Sequence, residues 1–168
     1  MCNRCSCSNH LIIKTPILIS NKIYQLLPFD QSHPLALNRI VPVIGLAQSL
    51  NWLDESQYKE SSIASVDMLA RYHDIDYVEA VLSAENNRCI PVTLGERYNL
   101  GRHGNSYFSK IFTRPATTAG ASILAGQLLA DNEEGVIFFP AGGNHHAKKN
   151  QASGFCIFND PVLGILSM

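Results

Sequence analysis

Two imidazoles side by side are the first groups in this chain that could do chemistry. They sit in the run Gly142-Gly143-Asn144-His145-His146-Ala147. Imidazole takes up and returns a proton near neutral pH, so a histidine pair beside a polarised carbonyl suits general acid–base work. Such proton transfer contributes typically ~10² to 10⁴ in rate. Imidazole is also the commonest metal ligand, so a direct metal role competes with proton handling. The plain alternative is an exposed loop whose histidines merely titrate. Adjacent side chains point to opposite faces of a strand and diverge by about 100° on a helix. Both rings can therefore address one cavity only where the backbone is irregular, a freedom that Gly142 and Gly143 supply. A few residues later comes Gly154-Phe155-Cys156-Ile157-Phe158-Asn159-Asp160. Finding both runs together is far less expected by chance than finding either alone.

A second cluster lies at the other end. Cys2, Cys5 and Cys7 form a C-x-x-C-x-C run with His10 close behind. Thiolates so spaced could meet a soft metal such as zinc with His10 as fourth ligand. The expectation is instead a ragged, poorly ordered N-terminal extension, 1–20, carrying free thiols. Thiolates would also fill the position that a hydrolytic zinc must keep open. Five cysteines, an odd number crowded at one end, do not make a disulfide framework. Cys89 and Cys156 read as small core residues.

The elements that must position the histidines follow an α/β pattern. Residues 22–27 are read as a first strand, with a weaker one at 12–19. The spacing predicts a helix over 38–50, with Pro42 confined to its first turn. Residues 58–62 form a short, ambiguous stretch. Ser65 should cap a short helix with Asp67 in its first turn. A second helix is expected over 75–84, and 86–98 carries a weak strand signal. A long Ala- and Leu-rich helix should start at Thr117 or Thr118 and run to Ala130. Gly120 and Gly126 fit it if it packs closely. Residues 136–140, Val-Ile-Phe-Phe-Pro, then read as a strand covered on both faces. Helix, buried strand and glycine-rich loop in sequence indicate an α/β sheet, whose chemistry lies on loops at the strand C-termini. Asn159 or Asp160, followed by Pro161, caps a final helix that is apolar on nearly every side. Such a helix calls for burial all round, so this end either docks into a partner or belongs to something longer, the second being expected.

Composition narrows the class. A chain of 168 residues suggests one domain, and 46% hydrophobic with 16% charged residues suggests a compact one. Thirteen basic and fourteen acidic side chains nearly cancel, which offers no broad attraction for nucleic acid or anionic lipid. No run reaches the ~18 apolar residues of a membrane span. The apolar stretch 11–20 has poor flanks for a signal peptide. A cytoplasmic protein is expected.

The run Pro140-Ala-Gly-Gly-Asn-His-His-Ala, with Gly-Phe-Cys-Ile-Phe-Asn-Asp-Pro and Val-Leu-Gly-Ile-Leu after it, resembles the signature of the zinc-dependent histone deacetylase family, including its bacterial acetoin-utilisation and acetylpolyamine relatives. The resemblance continues upstream in His33-Pro-Leu-Ala-Leu-Asn-Arg39, in Leu69-Ala-Arg-Tyr-His-Asp-Ile-Asp-Tyr-Val and in Pro115-Ala-Thr-Thr-Ala-Gly. It covers roughly 21–168, the expected portion of a deacetylase domain. It implies a three-layer arginase/deacetylase-like α/β fold with a mostly parallel sheet, truncated at the C-terminus. It also implies a zinc ion that polarises an acetyl carbonyl and activates water.

By position, His146 matches the family's general base and His145 its electrostatic or acid partner. Gly154 and Phe155 match the wall of the narrow tube that holds the substrate's alkyl chain, with Cys156 a packing residue beside them. Arg39 matches the arginine near an internal pocket where acetate leaves. The implied substrate is acetyl-lysine or another acetylated amine.

The departures are equally clear. The family's Asp-x-His zinc pair, second aspartate and oxyanion-holding tyrosine have no counterpart in this sequence. The nearest approach, Asp30 with His33, is one residue too wide and in the wrong region. A rim aspartate of eukaryotic relatives is replaced by Thr113, beside Arg114, and the loop 101–108 lacks the usual Asp and Pro. Two readings follow: the N-terminal portion of a metal-dependent deacetylase, or an inactive remnant or interaction module. On either, the isolated chain is expected not to deacetylate.

Overall fold

Ile17, Leu18 and Ile19 make the centre of the sheet. The computed structural model describes residues 15–26, 39–131 and 135–168. The Cys2, Cys5, Cys7 and His10 cluster, and the His33-Pro34 step, lie outside these residues. Strand β1 (Ile17–Ser20) is flanked by β2 (Tyr58–Glu60) and β3 (Ile137–Phe138) in the order β2-β1-β3, all parallel. Leu18 stands opposite Tyr58 on one side and Phe138 on the other. The central strand thus begins four residues ahead of Asn21, inside the stretch read as an extension. The segment read as the first strand is a 3₁₀ turn instead (Lys22–Gln25), because the Asn21 side chain accepts from the Ile23 N–H and breaks the extended run.

Parallel strands need crossovers, and helices supply them. Helix α1 (Ile40–Ser49) lies in the β1–β2 connection, with Pro42 in its first turn as expected. Ser65 caps α2 (Val66–Leu69) by accepting from Met68. Helix α3 (Ile75–Asn86) buries Tyr77, Val78, Val81 and Ala84 on one face. The weak strand signal at 86–98 gives way to α4 (Val92–Tyr98), which begins directly after Pro91 and turns Gly95 and Tyr98 inward. Cys89, expected in the core, is exposed in the turn between these helices.

Helix α5 (Thr113–Ala130) starts four residues earlier than its pattern suggests. The reason is tertiary: the Glu85 carboxylate accepts the Phe112 and Thr113 N–H groups at 2.8 and 2.9 Å and binds the Thr113 hydroxyl. That capping comes from α3, where no local rule looks for it. The C-terminal α6 (Asp160–Ile165) is capped by Asn159, which accepts from Val162 at 3.2 Å. It packs on α5 backbone to backbone, and a Cβ on Gly126 would stand 2.2 Å from the Gly164 carbonyl oxygen. Close approach of helices, more than contact with the sheet, accounts for glycine there.

The main core lies among α2 to α5 and the chain around 152–163, with Tyr77, Val81, Ile111, Phe158 and Leu163 fully enclosed. Strand β3 is not covered as its sequence predicts: Phe138 is 50% exposed, and Val136 just before it 63%. The chain is an α/β fold with a parallel sheet and surrounding helices. Among the described residues no helix is long and apolar enough to cross a membrane.

Candidate functional site

The loop leaving β3 folds back on itself, and Gly143 makes the reversal at φ +99°, a conformation that L-residues with a side chain rarely adopt. His145 and His146 follow with ring centroids 4.2 Å apart and planes inclined by 41°. The irregular backbone expected from the glycines is present, and it brings the two imidazoles together on one open face. Both residues are exposed. The Gly143 carbonyl oxygen meets the His145 N–H at 2.8 Å and the His145 Nδ1 at 2.9 Å. A carbonyl only accepts, so Nδ1 carries the proton in the neutral ring and Nε2 keeps its lone pair for other work.

Gly154 and Phe155 stand beside the pair. A Cβ on Gly154 would lie 2.7 Å from His146 Cγ, so the bare glycine backbone lies against that ring. Phe155 is 41% exposed and takes φ +67°, an uncommon state for an aromatic residue. Its N–H donates to the buried Asn105 Oδ1 at 2.9 Å. Asn105 in turn donates through Nδ2 to the Asn99 carbonyl oxygen at 3.2 Å. Cys156 is buried as expected, and burial pushes its thiol up, against the N–H groups of His146 and Ala147, which pull it down. A thiol so placed is a poor nucleophile. Arg39 is the exposed residue ahead of α1. Arg114, by contrast, is stacked over Tyr24 at 5.0 Å and donates to the Ile23 and Leu26 carbonyl oxygens.

Several residues that support the pair had no site role in the sequence reading. His73 is buried between the Lys149 carbonyl oxygen, 3.0 Å from Nδ1, and the Asn159 N–H, 3.0 Å from Nε2. The carbonyl requires a donor at Nδ1 and the N–H an acceptor at Nε2, which fixes the neutral tautomer. Asn159, beyond capping α6, donates through Nδ2 to the carbonyl oxygens of His145 and Ala147. Asp74 pairs with Lys149 at 3.3 Å where both are half exposed, a contact worth little by itself. The His73-Asp74 step was noticed only as part of a resemblance. Its histidine belongs to the framework of the histidine loop.

The family described as "Histone deacetylase domain" matches residues 33–168. The chain belongs to the histone deacetylase family. It is 28% identical over 153 residues to the acetoin utilization protein AcuC of Bacillus subtilis, covering 91% of this chain and 39% of that protein. Against the Staphylococcus aureus protein of the same name it is 33% identical over 147 residues, covering 88% and 37%. Histone deacetylase 8 of Xenopus tropicalis is 36% identical over 129 residues, covering 75% and 34%. The crystal structure of an HDAC homolog from Aquifex aeolicus superposes with a TM-score of 0.82 at 32% identity, covering 90% of this chain and 40% of that one. The match in fold is therefore deep over what is present, and the chain spans about two fifths of these relatives' length.

The histone deacetylase family depends on zinc. Among the described residues no group of three or more His, Cys, Asp or Glu side chains could hold a metal. Of the groups nearby, the Cys156 thiol is buried and Asp160 already accepts four hydrogen bonds, while His145 presents Nε2 with its Nδ1 held by the Gly143 carbonyl oxygen.

Proposed function

We propose that this chain forms the proton-handling and channel-wall portion of a deacetylase that hydrolyses acetyl-lysine or a related acetylated amine. The observation that carries the reading is the His145–His146 pair, adjacent in sequence yet turned to one face beside Phe155. Amide hydrolysis needs one proton taken from water and one delivered to the leaving amine, and two imidazoles suit those two transfers. In this reading His146 is the base and His145 its partner. Phe155 and the bare backbone of Gly154 line the path of an apolar alkyl stem, which an aromatic face accommodates. Arg39 serves the departing acetate. The zinc ligands are supplied by polypeptide outside the described residues. Apolar exposure at Val136, Phe138 and Ile165 favours the second reading, an interaction module, only as far as a partner surface.

The test is a chimaera in which this chain replaces the matching segment of the Bacillus subtilis relative. Acetate release from an acetyl-lysine peptide should be chelator-sensitive and fall by roughly 10² to 10⁴ on His146→Ala. The chain alone should release none. A folded, active chimaera indifferent to His146→Ala, or chelator-sensitive release by the chain alone, would overturn the proposal.

A further inference from the structure

A buried carboxyl group with four hydrogen-bond donors sits under the histidine loop and has no part in the reading above. Asp160 is 1% exposed. Its Oδ1 accepts the Asn144 N–H at 2.7 Å and the Asn144 Nδ2 at 2.9 Å. Its Oδ2 accepts the Gly143 N–H at 3.1 Å and the Ser122 hydroxyl at 2.6 Å. Burying a carboxylate is costly unless such donors surround it. Three of these four bonds come from the two residues directly before His145, and the fourth ties the group to α5. The space is made for it, since a Cβ on Gly142 would stand 3.1 Å from Oδ2.

We propose that Asp160 is the positioning residue that sets the geometry of the His145–His146 pair. It is placed to act through the backbone rather than on substrate. Fixing the Gly143 and Asn144 N–H groups fixes the turn, and the turn orients the Gly143 carbonyl oxygen that holds the His145 ring. Asn159, its neighbour, holds the carbonyl oxygens of His145 and Ala147 on either side of His146. Consecutive side chains thus hold the loop from its N–H groups and from its carbonyls. An asparagine at 160 would retain the shape but present an NH₂ group toward donors, breaking at least one bond and opposing another.

The inference rests on the catalytic reading of the pair, but its test reads geometry rather than turnover, so the two can fail separately. In the full chain with ¹³C,¹⁵N-labelled histidine, assigned through His145→Gln and His146→Gln, the ring–ring cross-peak of the pair is followed. Asp160→Asn should abolish that cross-peak and shift both Cε1–Hε1 signals while leaving those of His73 in place. A folded Asp160→Asn chain with unmoved His73 signals and an intact cross-peak overturns the proposal. Where Asp160→Asn fails to fold or disturbs His73, Ser122→Ala decides, because it removes one donor from outside the loop. It should shift the His145 and His146 signals with His73 unmoved, and unchanged His145 and His146 signals there overturn the proposal equally.

Discussion

At the scale of single residues, the site is maintained by side chains that do no chemistry of their own. Asn105 shows this most simply. Phe155 is held at φ +67°, which costs on the order of 1–3 kcal/mol, and the bond from its N–H to Asn105 Oδ1 helps keep it there. Asn105→Ala strands that N–H and the Asn99 carbonyl oxygen together, so a loss of about 1–3 kcal/mol in denaturant unfolding is expected. Glycine tolerates positive φ, so the same substitution should cost less in a Phe155→Gly background. A double-mutant cycle measures that coupling directly, and additive losses would show that Asn105 supports something other than the Phe155 backbone. None of this was legible in the sequence. Asn105 lies in a loop fifty residues from its partner, and a bond of that span leaves no local periodicity.

Between elements, His73 ties the end of α2 to the start of α6 and to the loop at Lys149. Burial lowers its pKa, while the Lys149 and Lys148 carbonyls and the charge of Asp74 pull the other way without prevailing. The rings of Tyr72, Tyr77 and Phe158 close around it. Protonated, its Nε2 would present a hydrogen to the Asn159 N–H. The unfolded chain therefore binds the proton more readily, and stability rises with pH across the interval between the two values. The contribution is whole above the unfolded value of 6.5 and is lost as pH falls below it. The melting midpoint should drop between about pH 7.5 and about pH 5.5, and His73→Gln should flatten that drop while lowering the midpoint at the higher pH. An equal drop in parent and variant would place the titrating group elsewhere. Elements bounded by local signals were readable: Pro42 in the first turn of α1, the Ser65 cap of α2 and the Asn159-Pro161 start of α6 all stand where the sequence put them. Elements bounded by distant groups were not. Helix α5 starts where Glu85 reaches it, and β1 overlaps the weaker strand expected at 12–19 rather than the stretch 22–27 read as the first strand, because its register with Tyr58 and Ile137 was invisible from 12–27.

At the scale of the whole molecule, the family match and the parallel sheet raise one physical question, which is how the outer side of β3 is covered. Parallel strands are ordinarily covered on both faces. Here β3 pairs with β1 on one edge, and no described strand lies on the other. Phe138 of β3 and Val136 just before it are exposed, and Ile165 and Met168 are 67% and 68% exposed at the end of α6. An open edge with apolar side chains is a template for pairing with another chain. The chain by itself should therefore self-associate, its weight-average mass in sedimentation rising with concentration on the order of 10–100 μM. Lysine on an edge strand blocks such pairing by charge and hydration. Val136→Lys combined with Phe138→Lys should return the mass toward that of a monomer. Because both side chains already lie largely in solvent, the melting midpoint of the variant should stay close to that of the parent. A parent chain that remains monomeric across this range would show that the edge is protected by something other than a partner, and the reading of these exposed apolar residues as a partner surface would lose its physical basis.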